Sequence, residues 1–212
     1  MTATGSEAAV VEGTNSMTVT DSTLIGAVER GVMLYNSISG DASAGIGRFT
    51  MNGGALTAEA GPVFYVTNTT GIIHLKGVQV SGASGTLVRV GNADTGSGNT
   101  GAGKATFTAD HETLTGDLIT GWTGTITASL MHSKLTSSIN KAGLTLDTAS
   151  VWTMTGNSTL ISSGDPSAVS AHTITNIIGN GHTVTYDPSL SGNKWLAGEA
   201  YALTGGGKLA PA

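Results

Sequence analysis

The sequence predicts an all-β fold: a right-handed single-stranded parallel β-helix, a solenoid with three strands per coil of about 24 residues. Three observations predict it. The composition favours strands over helices, a repeat recurs at a spacing that suits one coil, and turn-forming residues fall at fixed places within that repeat.

Composition sets the class. Charged residues make up 11% of the 212, less than half the globular norm of about 25%. The 39% apolar content comes in short Val, Ile, Leu and Phe runs that are able to bury a core. The chain also holds 32 glycines, 33 threonines and 21 serines. Threonine and the β-branched aliphatics have stiff side chains that pack well on a pleated surface. No stretch long enough for a helix shows apolar spacing i, i+3, i+4, i+7 free of glycine or turn clusters, so helix is nearly excluded.

The repeat supplies the architecture. Met17–Leu24, Phe49–Leu56 and Ile73–Val80 align, each opening with alternation, meeting a small or polar corner and then resuming. Asn36, Asn68 and Asn92 follow these three starts at one constant offset, after the apolar runs Val32–Tyr35, Val63–Val66 and Leu87–Val90. The step from Phe49 to Ile73 is one coil of about 24 residues. The steps from Met17 to Phe49 and from Ile73 to the next expected start, Ala105, are each longer by about eight. Two surface insertions account for the excess, placing inserted loops at 40–47 and 94–103. A coil of that length holds three strands of roughly five residues, whereas a propeller blade needs four. Parallel stacking then predicts two inward rows, Val19–Met51–Leu75 and Leu24–Leu56–Val80. The glycines and asparagines fall at corners, where positive φ is required.

Past residue 105 the strand-like segments Thr125–Thr127, Leu144–Leu146, Val151–Met154 and Thr173–Thr175 recur at a spacing nearer 20 than 24, which implies tighter coils. Residues 1–188 are therefore expected to be coils. Residues 189–212, with Trp195, Tyr201 and Gly205–Gly207, are expected to be a C-terminal cap or a connection to a further domain.

A coil of this length, rich in Thr, Gly and Asn, resembles the pectate-lyase-like right-handed β-helices, of the bacterial surface-protein and autotransporter-passenger type. The resemblance covers nearly the whole chain and is one of pattern and composition, with no family-specific motif matched. It implies a secreted or cell-surface location.

Several function classes are disfavoured. Net charge is −5, and the nine basic residues are scattered singly, so no nucleic-acid partner is expected. No apolar stretch approaches the roughly 18 residues that a membrane-spanning helix needs, so no membrane insertion is expected. The N-terminus lacks the basic and apolar regions of a signal peptide and reads as the start of a cut-out segment. Cysteine is absent, which removes disulfides and thiolate metal sites and suits a chain that crosses a periplasm unfolded.

The densest polar group is Asp110-His111-Glu112 with Asp117 nearby. A lyase of the resembled family places acids for calcium beside an Arg or Lys base on neighbouring coils. Here Lys104 is the nearest base in sequence, and the group reads as an exposed corner in which alternation puts Asp110 and Glu112 on one side, facing water. Asn180-Gly181-His182 replaces the Gly-His-Gly of the polygalacturonase-like hydrolases, Arg-x-Lys is missing, and Gly181-His182 reads as a turn into Thr183–Tyr186. His74, His132 and His172 have no second histidine at the second or fourth position along the chain. The Gly96–Lys104 stretch lacks a phosphate-binding ending and reads as an insertion. Trp122, Trp152 and Trp195 each fit sugar stacking or packing.

The expectation is thus a non-enzymatic structural or adhesive scaffold with no catalytic residues, no cofactor and no metal. It would meet a glycan or a surface protein through its inserted loops. The alternative is a carbohydrate-active β-helix, either a polysaccharide lyase or a hydrolase. A minor alternative is ice binding by Thr-x-Thr pairs such as Thr18/Thr20 and Thr106/Thr108, weakened by Thr50/Asn52 and His74/Lys76 at equivalent positions.

Overall fold

A computed structural model describes residues 1–37, 42–43, 45–91, 102–164 and 166–212. The fold is all-β, with nearly every strand hydrogen-bonded in parallel to a strand from an earlier or later pass of the chain. Alternation explains the strands. In Ile46–Asn52, Thr70–Lys76 and Lys104–Asp110 the second, fourth and sixth positions are buried and their neighbours are not, as a two-residue period requires.

The first ladder runs through Ser16–Thr20, Ile46–Asn52, Thr70–Lys76, Lys104–Asp110 and Thr125–Met131. Val19 pairs with Met51 and Met51 with Leu75, the row expected from the repeat, and it continues through Ala109, Leu130 and Leu146. Leu24, Leu56 and Val80 form the second expected row on Thr23–Gly26, Ala55–Ala58 and Gln79–Gly82. One start needs correcting. Ile73 pairs with Phe107 and not with Ala105, whose partner is Gly71. Two residues make one full pleat, so positions 105 and 107 face the same way and alternation alone does not separate them.

A third ladder joins Ala9–Glu12, Val32–Tyr35, Phe64–Thr67, Thr86–Val90 and Asp117–Thr120. At Ile139 and Asn140 it merges with the first, because the strand Ile139–Leu146 begins on the third ladder and finishes on the first, and Ser158–Gly164 pairs along both parts. Beyond this crossing only two ladders continue among the described residues: Val151–Met154, Thr173–Ile178 and Tyr201–Thr204 on one, Ser158–Gly164, Thr183–Tyr186 and Lys208–Pro211 on the other. Three strands per pass therefore hold only up to Asn140. Leu130 pairs directly with Leu146, and the pass between them is too short for three strands and their corners.

The core is continuous from Ala8 to Leu209. Phe49, Phe64 and Phe107 stack through its first half with ring centroids 6.0 and 5.9 Å apart, and the fully buried Trp152 and Tyr186 fill the second half. Of the stretch 40–47, Ile46 and Gly47 already belong to the strand Ile46–Asn52. Residues 40, 41 and 44, like 92–101, lie outside the described residues. Within 189–212, Tyr201–Thr204 and Lys208–Pro211 extend the two ladders in parallel and also pair with each other antiparallel. No described helix is long and apolar enough to cross a membrane.

Candidate functional site

One corner gathers most of the chemistry. Where the chain leaves the first ladder, Asp21, Gly53, Gly77, His111 and His132 stand on successive passes, with φ of 45°, 66°, 62°, 59° and 49°. A left-handed backbone excludes most side chains and is best tolerated by Gly, Asn, Asp and His, which accounts for the residue types found there. The turn at His111 also breaks the alternation. Asp110 lies on the outside with 14% of its side chain exposed, while Glu112 turns inward and is 2% exposed. The expectation that both carboxylates face water on one side is overturned at this point.

The outer groups form one cluster. The His111 and His132 rings stack 4.8 Å apart at 9°. His111 Nδ1 is 2.6 Å from Asp110 Oδ1, and Lys76 Nζ is 3.0 Å from Asp110 Oδ2. The Lys76 ammonium and then the His111 ring hold the Asp110 carboxyl below its usual range. Asp147 Oδ2 accepts the His132 backbone N–H at 3.0 Å and faces His132 Nδ1 at 3.5 Å. Burial works against the charge on Asp147, but the Ser150 hydroxyl and the His132 and Ala149 N–H groups outweigh it and lower its pKa. Sequence separation hides the pairing. His111 and His132 stand one full pass of the chain apart, and a search at that spacing, rather than within a single strand, finds them.

The inner groups form a ladder of their own. Glu112 Oε1 accepts the Val78 N–H at 2.8 Å, Ser133 Oγ accepts the Glu112 N–H at 2.9 Å, and Ser150 Oγ accepts the Ser133 N–H at 3.0 Å. Each side chain thus replaces a carbonyl in pairing one pass to the next. Burial pushes the Glu112 carboxyl up to about 7, partly offset by the Val78 N–H and reinforced by the Asp110 charge, and its Oε2 has no hydrogen-bond partner among the described residues. Asp117 does similar work elsewhere, with Oδ1 accepting the Ser138 N–H at 2.7 Å.

The three tryptophans separate cleanly. Trp152 is fully buried and donates to Ser137 Oγ at 3.0 Å; Trp195 is partly buried and donates to the Ser163 carbonyl. Trp122 is 100% exposed, in a recess of about 380 Å³ with Thr120, Gly121, Asn140 and Lys141. It stands at the corner between the third and first ladders. The stretches 36–45 and 91–103 leave and rejoin the ladders at this same corner, since they connect Val32–Tyr35 to Ile46–Asn52 and Thr86–Val90 to Lys104–Asp110. On the outer face of the third ladder a second, larger groove of about 750 Å³ is lined by Glu7, Arg30, Tyr65 and Arg89, with Arg30 2.5 Å from Glu7 and 4.6 Å over the Tyr65 ring.

Other candidates are placed as follows. His74 lies on the outer row of the first ladder between Thr50 and Thr108, and His172 stacks on Tyr201 at 4.7 Å. Asn180 and Gly181, with φ of 48° and 81°, form the expected turn into Thr183–Tyr186. Most of Gly96–Lys104 lies outside the described residues, and Lys104 opens a strand. Compared with protein-family models, characterised proteins and solved structures, the chain matches none.

Proposed function

We propose that the chain is a right-handed parallel β-helix of the pectate-lyase-like type, serving as a non-catalytic adhesive scaffold segment of a secreted or cell-surface bacterial protein. The observation that carries the reading is Trp122. A tryptophan left wholly in water forgoes a large burial gain, and its planar face is suited to stacking on a sugar ring. It sits beside Asn140 and Lys141, whose side chains are able to hydrogen-bond hydroxyls or a carboxylate, on the corner where both inserted stretches depart. The carboxylates best placed for acid–base work are engaged as braces: Asp117 on Ser138, Asp147 on His132 and Ser150, and Glu112 on Val78.

A glycan array probed with the whole chain tests this reading. Binding to at least one glycan class, weakened tenfold or more by Trp122→Ala with unchanged melting, supports it. Binding that survives Trp122→Ala unchanged, or no binding at all, overturns the adhesive corner. The carbohydrate-active reading is favoured by one observation, the raised pKa of Glu112 beside Asp110. Turnover of uronic-acid polymers, abolished by Asp110→Ala or Glu112→Ala, would replace the scaffold reading with that one.

A further inference from the structure

We infer that Asp110, His111 and His132 form a binding site for a zinc-class divalent cation. One ligand atom from each of the three residues lies within 4.8 Å of the other two. Two imidazoles with one carboxylate is a donor set that zinc takes readily, with water completing a tetrahedron. Donors around a tetrahedral zinc stand about 3.3 Å apart, given bonds of about 2.0–2.2 Å, so the set must close by about an ångström or more. Both rings are largely in water, with 62% and 59% of their side chains exposed, so closing asks only that they tilt out of their mutual stack and that the His111 Nδ1–Asp110 Oδ1 contact give way to the ion.

Four further features favour a cation here. The site is anionic: Asp110 and Asp147 converge on it, against the single ammonium of Lys76. Lys76 already occupies Asp110 Oδ2 at 3.0 Å, so a metal replaces one positive group by another. Asp147 faces His132 Nδ1, an arrangement in which a carboxylate fixes the imidazole and leaves Nε2 as the ligand. The left-handed corner fixes where both histidines stand, because each follows a strand residue held in register, Asp110 opposite Met131.

A metal bound there would join two consecutive passes of the chain, so its binding is linked to unfolding. The test uses the whole chain and zinc chloride alone, with titration calorimetry for stoichiometry and thermal melting for linkage, and magnesium chloride as the oxygen-preferring comparison. The expected result is one equivalent of zinc, a melting temperature raised by at least about 5 °C at a hundredfold excess over Kd, and no response to magnesium. His111→Asn and His132→Asn, which suit a positive φ, should each weaken binding tenfold or more, and Asp110→Asn should weaken it with both rings retained. His182→Asn should leave it unchanged. Absence of saturable zinc binding overturns the site, as does binding that persists in the His111→Asn/His132→Asn double variant or that is lost equally in His182→Asn.

Discussion

Replacing Phe64 by alanine removes the middle ring of the Phe49–Phe64–Phe107 stack and tests whether that stack anchors the first half of the molecule. Phe64 is 0% exposed, with its neighbours' centroids 6.0 and 5.9 Å away at tilted angles. Deleting the ring leaves a void of roughly 100 Å³, which at about 24 cal/mol per Å³ comes to about 2.4 kcal/mol before the lost transfer energy of the ring is added. Two tilted aromatic contacts contribute about 0.5 kcal/mol or more each beyond the buried area. Backbone register limits relaxation, since Phe64 is fixed between Val32 and Val88 by parallel pairing on both sides. The expected loss is about 4 kcal/mol for Phe64→Ala and about 1–2 kcal/mol for Phe64→Leu, which keeps most of the volume. Urea unfolding followed by circular dichroism measures both. A loss for alanine below the void contribution alone, or equal losses for alanine and leucine, would refute the packing argument.

Other outcomes follow from the corners. Glu112→Gln should stabilise the protein at pH 8 by up to about 3 kcal/mol and by nothing at pH 4, measured with a chelator present. The unfolded carboxyl ionises near 4.5 and the folded one near 7, so wild-type stability falls across that interval and is flat above it, whereas glutamine removes the slope. Glu7 acts in the opposite sense. Its burial is outweighed by the Ser6 hydroxyl and Arg30, which lower its pKa, so the stability it contributes is present above pH 4.5 and lost as pH falls through the lower folded value. Glu7→Gln should flatten the acid limb of a melting-versus-pH curve, and an unchanged limb would count against the pair. Gly54→Ala, at φ +78° with the new Cβ 2.1 Å from the Ser22 carbonyl oxygen, should cost at least about 2 kcal/mol. Gly77→Ala, at φ +62° with nothing within 4 Å, should cost only about 1 kcal/mol, and equal losses would show that backbone strain rather than contact dominates.

Much of the strand pattern is legible in the sequence because alternation keeps its phase from coil to coil even where insertions lengthen the step. Val19, Met51 and Leu75 share the same place in the alternation of their strands, and parallel pairing leaves such residues only one neighbour in each direction. The merging of the third ladder with the first is not legible. Ile139–Leu146 reads as one long strand whether it stays on one ladder or crosses to another, and nothing in its alternation marks the crossing. An exposed corner at Asp110–Glu112 is legible and present, but the role of His111 is not, since a single histidine in a left-handed turn looks like any polar residue until its stacking partner one pass later is considered. The inward turn of Glu112 follows from the same local conformation and is invisible for the same reason.

The column Asp21, Gly53, Gly77, His111 and His132 acts as a ruler. Each pass contributes one slot, and neighbouring slots are separated by a single strand spacing of about 4.8 Å, independent of how many residues the intervening pass contains. Groups placed in this column therefore meet at quantised separations set by hydrogen bonding between strands rather than by side-chain packing. Because the slots demand a left-handed backbone, the substitutions that fit are drawn from glycine, asparagine, aspartate and histidine, three of which carry donors or acceptors. The conformational rule that closes each corner thus also stocks one edge of the stacked strands with polar, metal-competent side chains, and lengthening the stack lengthens that edge in equal steps.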